Sequence, residues 1–96
     1  MQLVSADFSP GGAIPSRFTC EGENVSPEFS WKEAPIETKS FALILNDPDA
    51  PRPDGFTHWV LYNITADKGL LDPNVPNEEH VPATGVQGRN DSGEIG

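Results

Sequence analysis

The amino-acid sequence predicts a mainly β domain, and three observations lead there. Gly 9 and Pro 10 make up close to a fifth of the 96 residues, which favours many short segments joined by turns. Two uninterrupted apolar runs, residues 40–46 and 57–64, have strand length and are rich in branched and aromatic side chains. No stretch carries an apolar stripe at helical spacing over the length of an ordinary helix. Two Trp, five Phe and one Tyr sit inside apolar runs, so burial and not general disorder is expected.

Taken in order, Gln2-Leu3-Val4 and Arg17-Phe18-Thr19 read as short strands of a meander, separated by the turn cluster Ser9-Pro10-Gly11-Gly12. In residues 25–31, Val25, Pro27, Phe29 and Trp31 alternate on one face. Pro27 suits an edge strand or a strand start, and Phe29 and Trp31 are expected to point inward. Because they are continuously apolar, residues 40–46 and 57–64 are expected to be strands covered on both faces. The connection between them, residues 47–55, contains Pro48, Pro51 and Pro53 and must be a stiff, non-helical loop. Residues 65–84 are polar and proline-punctuated, and only 77–81 could make a helical turn. Residues 85–96 hold four glycines and read as a loop. The reading is therefore one domain over residues 1–96, cut within a loop and amounting to the amino-terminal portion of a larger fold.

Charge and cysteine usage narrow the function classes. The formal net charge of -9, from 6 basic and 15 acidic residues, repels nucleic-acid phosphates and anionic membrane surfaces, so neither is expected as a partner. The acidic residues are dispersed, with Glu78-Glu79 the only adjacent pair, as on a solvated surface. Cys20 is alone, which excludes an intramolecular disulfide. Residues 1–7 lack a basic region followed by an apolar stretch, and the longest apolar run, Phe41 to Leu45, is too short to span a bilayer. A cytoplasmic location without membrane insertion is the expectation.

The residues that could carry chemistry are Asp47, Asp49 and His58. Asp47 and Asp49 leave the end of the first long strand and His58 opens the second, so pairing of these strands brings all three to one end of a sheet beneath a rigid loop. Each also has a plainer reading: Asp before Pro commonly opens a turn, and a histidine beside Trp59 commonly sits satisfied in a core. An EF-hand would need Asp or Asn at position 51 and Gly at 52, where Pro51 and Arg52 stand. Zinc would need a third ligand, and His80 has no ligand spacing, so no metal is expected. There is no Gly-x-Ser-x-Gly elbow, no base near Cys20 and no Gly-Lys-Ser/Thr loop. Gly85-Val86-Gln87-Gly88 lacks dinucleotide spacing, so no cofactor is expected. The late glycines, with Arg89, could still present backbone amides and positive charge to an anion.

Asp47-Pro48-Asp49-Ala50-Pro51 followed by His58-Trp59-Val60-Leu61-Tyr62-Asn63-Ile64 resembles the phosphatidylethanolamine-binding-protein family, most closely its bacterial and archaeal, Raf-kinase-inhibitor-like branch. Residues 14–27, Trp31, Thr38-Lys39-Ser40 and Gln87-Gly88-Arg89-Asn90-Asp91 extend the resemblance over nearly the whole chain. It implies a large antiparallel sheet packed on a smaller one, with few short peripheral helices, and a small pocket for anionic groups such as phosphate. Asp47 and Asp49 match the pocket aspartates, Pro51 the loop proline and His58 the pocket histidine. Phe56 stands where the family usually has Trp, keeping an aromatic wall without an indole donor. The family continues past a glycine like Gly96 into a Tyr, a Gly-Pro-rich loop and a Gly-x-His-Arg-Tyr strand, so the anion-binding half of the pocket is expected beyond these residues.

Two carboxylates oppose a phosphate, and the resemblance implies that backbone amides and a second histidine supply the favourable field while Asp47 and Asp49 orient His58. The expected function is binding of a small phosphate-like anion without turnover. The alternative is a protein-interaction module that inhibits a kinase or protease, its acidic surface suiting a basic partner. A phosphate-ester hydrolase with an aspartate base and a His58 acid is the third reading. Oligomers are expected through an unpaired sheet edge.

Overall fold

Backbone N–H and C=O groups must be paired wherever the chain is buried, and a chain with no long helix pairs them between strands. In the computed structural model, which describes residues 1–51 and 53–96, the strands are β1 (Gln2–Val4), β2 (Phe29–Lys32), β3 (Ser40–Asp47), β4 (Phe56–Thr65), β5 (Leu70–Leu71), β6 (His80–Val81) and β7 (Gly85–Gln87). They form two antiparallel sheets, of order β1-β2-β5 and β3-β4-β7-β6, so the protein is mainly β as its composition predicts. The chain divides into two compact units, residues 1–38 with 67–75 and residues 39–66 with 76–96.

The first unit is built on the smaller sheet. Leu3 stands opposite Trp31 and Phe29 opposite Leu71. Phe29 and Leu71 are buried, and Phe8 meets Phe29 edge-on at 6.1 Å. Asp7 Oδ2 accepts the Glu28 N–H at 2.8 Å, tying the loop after β1 to the start of β2. Ser9-Pro10-Gly11-Gly12 is a turn closed by Gly12 N–H donating to Ser9 O at 2.8 Å, with Pro10 before Gly11 at φ +75°, the conformation only glycine adopts freely.

The expected strand at 17–19 is corrected: Ser16–Phe18 is a 3₁₀ turn, the one helical element among the described residues. Local hydrogen bonding takes this segment out of the sheet. Thr19 N–H and Oγ1 both donate to Ser16 O, and Arg17 pairs with Glu23 across the loop at 2.6 Å.

The second unit is built on β3 and β4, whose ladder carries two register shifts. Near the far end, Phe41 faces Ile64 but Leu43 faces Leu61, so β4 accommodates an extra residue there. Asn63 takes it up at φ +56°, in the left-handed region that asparagine tolerates better than branched residues. As a result Leu61 and Ile64, three apart and normally on opposite faces, are both fully buried.

Three further expectations are corrected. Residues 40–46 and 57–64 are not covered on both faces: exposure alternates along β3, where Ile44 is 65% exposed, and on β4 His58, Tyr62 and Asn63 are exposed. A continuous apolar run does not distinguish a strand buried on both faces from one with an apolar outer face. Residues 77–81 do not turn helically, since His80–Val81 is β6, and residues 85–87 are not loop but β7, paired with both β4 and β6. The cause is Gln87, buried in the core: its amide donates to Pro76 O and Glu78 O at 2.7 Å each and accepts from Trp59 Nε1 at 2.6 Å, while its backbone N–H donates to Glu79 O at 2.7 Å. No helix among the described residues is long and apolar enough to cross a membrane.

Candidate functional site

The second register shift lies at the opposite end of the β3–β4 ladder. Asp47 faces Phe56 and Asn46 faces Thr57, but Leu45 faces Trp59, so His58 is the extra residue of a β-bulge. Bulges re-aim side chains and commonly lie beside functional sites. Here the bulge leaves Trp59 buried while His58 is half-exposed, with its Nε2 3.6 Å from Asp47 Oδ2. That separation is longer than a hydrogen bond. With the side chains 50% and 45% exposed, solvent screens the pair and its contribution to folding is small. The Phe56 ring lies 4.7 Å from the imidazole at 50°, forming one wall beside it.

The two oxygens of Asp47 have different neighbours. Oδ1 accepts the Asp49 N–H at 3.0 Å and opens the turn, and Oδ2 faces the imidazole. Asp49 is thereby fixed through its backbone, with its side chain exposed, and Pro51 is likewise exposed. The turn back into β4 depends on Gly55, whose φ is +74° and where a Cβ would stand 2.6 Å from Asp47 O. So the structure gathers Asp47, Phe56 and His58 into one cluster and tethers Asp49 to it, while Pro51 stiffens the loop above.

The neighbours of this cluster carry no sequence motif. Thr57, directly before His58, receives a hydrogen bond from Asn46 Nδ2 at 3.2 Å and gives its N–H to Asp91 Oδ2 at 2.7 Å. After β7 the chain runs on beside β4, with Gly88 N–H donating to Val60 O and Asp91 N–H to Thr57 O. The expected anion-binding role of Arg89 and the late glycines meets competing bonds. Arg89 Nη1 donates to Gly93 O at 2.8 Å, and Gly93 N–H donates to Asn90 O at 2.9 Å.

His80 lies across the sheet, opposite Val86, which faces Tyr62. It lines a surface hollow of about 330 Å³ with Asn63, Thr65 and Thr84. Among the described residues, no group of three or more His, Cys, Asp or Glu side chains is placed to hold a metal ion.

A profile of the family described as phosphatidylethanolamine-binding protein matches residues 4–96. A protein of Methanothermobacter thermautotrophicus, named UPF0098 protein, is 51% identical over 96 residues, covering the whole of this chain and 63% of that protein. A protein of the same name from Aquifex aeolicus is 42% identical over 99 residues, with 55% of its length covered. The crystal structure of Escherichia coli YbcL, described as a new member of the mammalian PEBP family, superposes with a TM-score of 0.88 at 38% identity, over 99% of this chain and 62% of that one. The chain therefore spans less than two thirds of the length of these relatives. With the profile matching residues 4–96 and a relative 51% identical over the whole chain, the chain belongs to the phosphatidylethanolamine-binding protein family.

Proposed function

We propose that the chain contributes to a binding site for a small phosphorylated or otherwise anionic ligand, centred on Asp47, Asp49, Phe56 and His58 and working without turnover. The observation that carries this reading is the bulge that turns His58 out of the core and sets its Nε2 3.6 Å from Asp47 Oδ2, half open to solvent. An imidazole so placed can be oriented by the carboxylate at one nitrogen and offer the other to a ligand. Phe56 supplies the apolar wall, and the prolines of the 47–55 loop reduce the entropy lost on ordering it. The family's description supports the headgroup class, a phosphate ester bearing an amine. A net charge of -9 disfavours bare phosphate at long range, so recognition must come from short-range donors.

The reading is tested by calorimetric titration with inorganic phosphate and with phosphoethanolamine. His58→Ala is expected to weaken binding about tenfold, the loss of one hydrogen bond to a charged group. Equal affinities in the two proteins would overturn the assignment.

The acidic surface favours a second reading, an interaction module for a basic protein partner that it inhibits. Partner binding that survives His58→Ala would favour this reading over the ligand site.

A further inference from the structure

The residue directly before His58 is held from both sides. From β3, Asn46 Nδ2 donates to Thr57 Oγ1 at 3.2 Å. From the segment after β7, Asp91 engages the Thr57 backbone twice, its Oδ2 accepting the N–H at 2.7 Å and its own N–H donating to the carbonyl at 2.9 Å. Both Thr57 backbone groups thus face the segment after β7, on the edge of β4 away from β3 and beyond the two residues that β7 pairs, and a carboxylate takes the N–H there in place of a strand carbonyl. Hydrogen bonds to an ionised acceptor are among the stronger ones a backbone makes.

Closure of the 90–96 loop does not explain this arrangement, because Asn90 performs it. Asn90 Oδ1 accepts from Ser92 N–H and Glu94 N–H at 2.8 and 3.1 Å, and its Nδ2 donates to Gly96 O at 3.1 Å. Asp91 instead directs its Oδ2 to β4, 34 residues earlier in the chain, at the one residue that immediately precedes the imidazole.

We infer that Asp91 is a positioning residue for His58: by clamping Thr57 it sets the bulge, and through the bulge the direction in which the imidazole points. The predicted effect on ligand affinity rests on the reading under Proposed function, whereas the effect on ring geometry does not. Charge alone makes the opposite prediction. Removing a carboxylate from the neighbourhood of an anion site strengthens anion binding, but removing a positioning residue weakens it.

The test compares Asp91→Ala and Asp91→Asn in the 96-residue chain by NMR and by titration with inorganic phosphate. In Asp91→Ala the contact between the His58 and Phe56 rings is expected to disappear from the NOE spectrum, with the Thr57 amide exchanging with solvent at least about tenfold faster. Phosphate affinity should fall about tenfold, the lower end of the loss a metal site suffers when an outer-shell partner of a ligand is removed. Asp91→Asn, whose side-chain oxygen still accepts from Thr57, is expected to restore all three. An Asp91→Ala protein that keeps the ring contact, or binds phosphate more tightly, overturns the inference.

Should Asp91→Ala fail to fold, Asp91→Glu serves in its place. It keeps the charge but displaces the acceptor, and unchanged His58 ring signals there are equally fatal. If the unaltered chain binds no phosphate, the ring contact and amide exchange alone decide the role of Asp91.

Discussion

The two ends of the β3–β4 ladder use the same device for opposite purposes. At one end the bulge at Asn63 brings Leu61 and Ile64 to the same buried side, and side-chain packing holds it. At the other, the bulge at His58 keeps Trp59 inside but turns the imidazole out, and polar bonds from Asn46 and Asp91 hold it. The first bulge serves the core, where each lost methylene costs stability. The second serves a surface cluster, where the same strand can change side chains at little cost to folding.

Substitutions along this strand pair break or sharpen that contrast. Leu61→Ala should have the largest effect, destabilising the chain by about 3 kcal/mol, because Leu61 is fully buried and the cavity it leaves cannot collapse. Thermal or urea unfolding measures this, and a cost under about 1 kcal/mol would mean that the core does not rest on this end of the ladder. Gly55→Ala comes next, at about 2 kcal/mol. It combines a positive φ with a Cβ forced to within 2.6 Å of the Asp47 carbonyl, and it should also disturb the His58–Asp47 contact. If stability falls but the His58 ring signals stay put, the turn supports the fold and not the cluster.

Asn63→Val should cost about 1–2 kcal/mol for placing a branched residue in the left-handed region, while Asn63→Gly should be within a few tenths of the unaltered chain. Equal costs for the two would point to the Asn63 side chain instead of its backbone. His58→Ala should have the smallest effect on stability, within about 0.5 kcal/mol, because the side chain is half-exposed and its pairing with Asp47 is screened. A large loss there would make His58 part of the core and erase the distinction between the two ends.

How far the sequence was readable follows the same division. The turn at Pro10-Gly11, the strand at Gln2–Val4 and the extended form of two apolar runs joined by a proline-stiffened connection were legible, because each depends on local chemistry: ring constraints, a positive φ, and burial of adjacent branched and aromatic side chains. The arrival of Asp47 beside His58 was legible only on the condition that those two runs pair, which the three-dimensional arrangement meets. The strand expected at 17–19 failed because hydrogen bonds between close residues outcompeted a three-residue propensity.

Strands β5, β6 and β7 could not be read, since two- and three-residue strands in polar, glycine-bearing sequence owe their existence to partners far along the chain. Gln87 shows why. Nothing about the glutamine of Gly85-Val86-Gln87-Gly88 announces a buried side chain, yet its bonds to Trp59 Nε1 and to the carbonyls of Pro76 and Glu78 draw three distant segments together. Asp91 is the same kind of residue at the other end of the strand.

Local chemistry in this chain settled that the two long apolar runs are extended and that the chain turns at Pro10-Gly11. Which residue bulges, which face of β3 remains open and which distant carboxylate takes the N–H before His58 were settled by the three-dimensional arrangement. Those outcomes depend on long-range hydrogen-bond acceptors and on the register they enforce, and a one-residue shift in register sends every side chain to the other face.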